Sequence, residues 1–104
     1  MNVHEKSVLD LSHNQLLGFI HHDETVMRNL RLTKLNLSHN RLTFLSPIIF
    51  MDTLTDLNVS HNDLCMLPKE LSKMNGLQKL DVSFNPNLFY LPKVNISEYI
   101  SRMI

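Results

Sequence analysis

The sequence predicts an α/β solenoid, a short coil with a parallel sheet along its concave face and turns or short helices along its convex face. Three observations predict it. One phrase recurs four times along the chain. Within each copy apolar residues alternate with polar ones, the period of a strand with one buried face. Each copy also closes on an asparagine, at positions 14, 40, 62 and 85, spaced 26, 22 and 23 residues apart. A rung of that length cannot bury its apolar face alone and must stack on its neighbours.

The four phrases carry the strands. They are Val8-Leu9-Asp10-Leu11-Ser12-His13-Asn14-Gln15-Leu16, then Leu32-Thr33-Lys34-Leu35-Asn36-Leu37-Ser38-His39-Asn40-Arg41-Leu42, then Leu54-Thr55-Asp56-Leu57-Asn58-Val59-Ser60-His61-Asn62-Asp63-Leu64, and last Leu77-Gln78-Lys79-Leu80-Asp81-Val82-Ser83-Phe84-Asn85. Pairs such as Leu35 and Leu37 point inward and form continuous columns between strands about 4.7–4.9 Å apart. The intervening side chains point outward: Val8, Asp10 and Ser12, and their counterparts down the stack through Lys79, Asp81 and Ser83. An asparagine beside leucines is costly to bury unless it is hydrogen-bonded. Asn14, Asn40, Asn62 and Asn85 are therefore read as a structural ladder bonding the backbone where each strand bends away.

These phrases resemble the leucine-rich-repeat family, whose core pattern is L-x-x-L-x-L-x-x-N-x-L. The resemblance covers nearly the whole chain. It implies a right-handed coil of four repeats at about 6–31, 32–53, 54–76 and 77–94, with partner contacts on the concave sheet. The convex returns differ. Leu67, Leu71 and Met74 recur as on one side of a short helix, which Pro68 opens and Gly76 closes. The return through Ser46-Pro47-Ile48 is more apolar, and 21–30 is a longer polar insertion on the convex side. Asn95 and Glu98 resemble a capping box, and Ile96, Tyr99, Ile100 and Met103 share a helical face, so a capping helix is expected over about 95–104. At the other end Lys6 stands where the pattern calls for leucine. That leaves a minimal cap or a fragment of a longer array, and self-association through the N-terminal edge.

Of the outward residues, Asp10, Lys34, Asn36, Asp56, Asn58, Lys79 and Asp81 are the candidate partner contacts, together with the column His13, His39, His61 and Phe84. Their polar, mixed-sign character suits a protein or peptide. The serine column is read as small residues tolerated at a tight turn. Three imidazoles on adjacent rungs have the nitrogen donors that zinc accepts. Ser-His-Asn is nonetheless an ordinary filling of these positions, so no metal or cofactor is expected.

Ten basic and ten acidic residues leave no formal charge, which argues against nucleic acid and anionic lipid as partners. One cysteine, Cys65, argues for a reducing compartment. The opening residues are too polar for a signal peptide, and no window approaches the roughly 20 apolar residues of a membrane span. Three glycosylation sequons begin at Asn36, Asn58 and Asn95. Sugars on the first two would block the concave sheet, which favours the cytoplasm. No base accompanies Cys65, and Gly18 and Gly76 build no phosphate loop, so no catalysis is expected. The functional expectation is a cytoplasmic adaptor or scaffold-type binding module. The alternative is a structural fragment of a larger receptor or scaffold, of which Toll-like ectodomains are an example.

Overall fold

The structure, a computed structural model, describes residues 8–18, 31–46, 52–89 and 100–101. Its frame is a parallel sheet in sequence order, formed by β1 (Val8–Asp10), β2 (Lys34–Asn36), β3 (Asp56–Asn58), β4 (Lys79–Asp81) and β5 (Ile100–Ser101). The register follows the repeat, with Leu9, Leu35, Leu57 and Leu80 in line across the strands. Among the described residues, three of each of the first four coils are strand. Pairing nevertheless continues past them: the amides of Leu11, Leu37 and Val59 donate to Asn36, Asn58 and Asp81 at 2.7–2.9 Å.

Alternation puts the core where the sequence places it. Leu32, Leu35, Leu37, Leu42 and Leu45 are buried, as are their equivalents Leu54, Leu57, Val59, Leu64 and Leu67 on the next coil. Leu9, Leu11 and Leu16 of the first coil are only half-buried against this cluster. Each inner leucine has a partner above and below. The first coil has one such neighbour among the described residues.

On the convex side the expected short helix is a 3₁₀ turn over Lys69–Lys73, capped by Pro68 and burying Leu71. Gly76 does not adopt a left-handed backbone. Its role is proximity: a Cβ there would lie 3.4 Å from the Asp52 carbonyl of the preceding coil. The insertion over 21–30 and the 47–51 part of the apolar return lie outside the described residues. So do Asn95 and Glu98 of the expected capping box.

The capping helix is corrected at the two C-terminal residues that are described. Ile100 and Ser101 are strand, paired in parallel with Leu80 and Asp81. The last sheet edge carries unpaired N–H and C=O groups that another strand satisfies directly, which a helix cannot do.

Candidate functional site

Side chains along β1 to β4 line a concavity of about 520 Å³. Across the strands, Val8, Lys34, Asp56 and Lys79 stand in one row and Asp10, Asn36, Asn58 and Asp81 in the next. In the first row Lys34 Nζ lies 3.5 Å from Asp56 Oδ2, with both side chains partly in solvent. Such a pair adds little to folding and leaves alternating charge available to a partner.

The second row is partly committed to the fold. One side-chain oxygen of Asp10, Asn36, Asn58 and Asp81 accepts the backbone amide two residues on, from Ser12, Ser38, Ser60 and Ser83, at 2.9–3.0 Å. The hydroxyls of Ser12, Ser60 and Ser83 donate to the same oxygens at 2.6–2.7 Å. These bonds draw the serines inward: Ser38 and Ser60 are buried rather than displayed on the sheet. The Ser12 bonds, first the hydroxyl and then the amide, hold the Asp10 carboxyl below its ordinary range.

Beyond the serines the chain turns, and the asparagines bridge coils. The Asn62 amide group donates to Val59 and Ser60 of its own coil and to Leu37 of the coil before, at 3.0–3.1 Å. Its oxygen accepts the Leu42 amide at 3.0 Å. Asn40 and Asn85 repeat this pattern, Asn40 reaching Leu11 and Asn85 reaching Val59. Among the described residues the Asn14 side chain bonds carbonyls of its own coil, Leu11 and Ser12, while its backbone amide donates to Asn40 Oδ1 at 2.9 Å.

His13, His39, His61 and Phe84 do not join the concavity. Each sits at the turn with a positive φ of 55–60°, a conformation in which histidine is enriched and phenylalanine is an outlier. The amides of His13, His39 and His61 donate to Ser38, Ser60 and Ser83 at 2.9–3.1 Å, fixing the rings one above another. They stack at centroid separations of 4.1–4.2 Å with interplanar angles of 10–14°. The edges of these exposed residues meet water while the faces of His39 are covered by its neighbours. That desolvation, then repulsion from His61 and His13, lowers the His39 pKa. Parallel rings hold their in-plane lone pairs parallel rather than converging on one point. Among the described residues no group of three or more histidine, cysteine or acidic side chains could hold a metal.

Residues 30–86 match the family model described as leucine rich repeat, and residues 7–23 match a second leucine-rich-repeat model. The chain belongs to the leucine-rich-repeat family. Leucine-rich repeats generally mediate protein–protein interaction and are typically not catalytic. No curated protein matches the chain. Within this leucine-rich-repeat stack the Asp/Asn-x-Ser bonds escaped the sequence reading. Their signal was present in each copy, an Asx residue with serine two positions later.

Proposed function

We propose that the chain is a non-catalytic protein-binding module of adaptor or scaffold type, acting in the cytoplasm and taking a protein or peptide segment on its concave sheet. The observation that carries this reading is the row Lys34, Asp56 and Lys79, held in register over an open concavity. Alternating charges on adjacent rungs read an extended segment crossing the strands, because they attract one sequence of charges and repel its inverse. Placement in the cytoplasm is supported by the free, half-buried Cys65 and by Asn36 and Asn58, whose glycosylation would obstruct this face.

The sheet is small. Four strands about 4.8 Å apart, each about 10 Å long, offer about 200 Å² of backbone, against about 800 Å² per partner in a standard interface. A partner confined to this face binds weakly. Peptides selected against the wild-type chain from a displayed library should lose at least about tenfold in affinity (about 1.4 kcal/mol) to the Lys34→Glu, Asp56→Lys, Lys79→Glu variant. Undiminished binding to that variant would remove the concave sheet from the proposal.

A further inference from the structure

Four residues after each asparagine of the ladder, outside the concave sheet, a second column runs along the flank: Gly18, Phe44, Met66 and Phe89. Phe44, Met66 and Phe89 are 55%, 46% and 73% exposed, and Leu17 beside Gly18 is 64% exposed. The repeat pattern asks for nothing apolar at this position. The flank is nonetheless ordered: Arg41 donates its amide to Leu16, Asp63 to Leu42, Cys65 to Thr43 and Phe89 to Cys65, at 2.8–3.3 Å. The coils are thus tied together beneath the side chains. At the head of the column Gly18 lies directly against the Phe44 ring, 3.7 Å from where a Cβ would stand.

The four exposed side chains present about 500 Å² of apolar surface, taking roughly 150–250 Å² for each large side chain and the exposed fraction of it. That is toward the upper end of the largest apolar patch on a soluble monomer, about 300–600 Å², and such patches often mark binding sites. With a polar rim the patch approaches the roughly 800 Å² per partner of a stable complex.

We propose that this flank is a homodimer interface, with a second copy of the chain as its occupant. The pattern is self-complementary about a two-fold axis lying across the flank between the second and third coils. That axis sets Phe44 opposite Met66 of the other copy and Phe89 opposite the exposed Leu17 beside Gly18. The same operation brings Arg41 opposite Asp63 of the other copy, both exposed and both three residues before the column. Each contact is made twice, as an isologous interface requires. A chain with no formal net charge adds no long-range repulsion between copies.

Sedimentation equilibrium of the full chain across a concentration series tests the proposal. The expected result is a monomer–dimer equilibrium in the micromolar range. Phe44→Ser with Phe89→Ser should weaken it at least about a hundredfold, with unchanged far-UV circular dichroism and, at a concentration where both proteins are monomeric, an unchanged urea midpoint since both side chains are exposed. Arg41→Asp and Asp63→Arg should each weaken it about tenfold, and the double swap should restore it. That restoration singles out the two-fold arrangement. A monomer at several hundred micromolar overturns the proposal, as does a charge swap that fails to rescue. A dimer insensitive to the phenylalanine changes but lost on Val8→Lys would place self-association at the β1 edge instead and equally overturn it.

Discussion

Two ladders run side by side through this molecule, built from consecutive residues of each coil, and they do opposite work. The asparagine ladder turns inward. Asn40, Asn62 and Asn85 are buried, each joined to the backbone of the preceding coil. The ladder of His13, His39, His61 and Phe84, one residue earlier, turns outward and is held by ring stacking at 4.1–4.2 Å. The same repeat spacing that stacks an amide over a carbonyl also stacks an imidazole over an imidazole. One ladder is built of neutral amides, whereas the other is built of aromatic rings, among them His39 with its lowered pKa.

The largest expected difference lies in deletion. Asn62→Ala leaves the Leu42 amide and the Leu37 and Val59 carbonyls without this partner inside the core, and should cost about 1–3 kcal/mol. Asn14→Ala removes bonds within one exposed coil only, and should cost under about 1 kcal/mol. Urea midpoints of the two variants check this. Equal losses would mean that bridging between coils contributes nothing beyond the local turn.

The outer ladder is broken differently, because its residues combine a left-handed backbone with a stacked ring. A non-glycine residue in that region costs on the order of 1–3 kcal/mol, which histidine tolerates better than most. His61→Gly keeps the backbone and removes two stacking contacts. His61→Ala removes the contacts and strains the backbone as well. The alanine variant should be less stable than the glycine variant by about 1 kcal/mol. An alanine variant as stable as glycine would show that φ at this position relaxes freely.

Much of this was readable from the residues. Leucines at period two dictated the strands, and an amide recurring among leucines had to be bonded to backbone. The Asp/Asn-x-Ser turns are equally written in the sequence, but an outward position is not the same as availability: Asp10 and Asn58 each accept the amide of the serine two residues on. At the C-terminus Ile96, Tyr99 and Ile100 fit a helical face, and short apolar runs satisfy strand and helix alike. Sheet-edge pairing decided for strand at Ile100–Ser101. The stacking of the histidines follows from the φ of the turn, which no spacing of apolar residues encodes.

Acidification should separate the two ladders without any mutation. In the unfolded chain His39 takes up its proton in the ordinary histidine range. Folded, it does so only at lower pH, because its ring faces are covered and His61 and His13 repel the charge. Through that window the unfolded state binds more protons, so the stability contributed by the neutral stack is present above the ordinary histidine range and is lost as pH falls through the folded value. Asp10, whose charge acts on His13, titrates in the carboxylate range and has its folded pKa lowered. Its contribution is therefore lost separately, at lower pH. The variant His39→Phe keeps a flat ring between its neighbours and removes the proton. Its urea midpoint should fall less between pH 7.5 and 5 than that of the wild type, whereas Asn62→Ala, which breaks the inner ladder without adding or removing a titrating group, should lower the midpoint at both pH values alike. An undiminished loss in His39→Phe would assign the sensitivity to groups outside the stack.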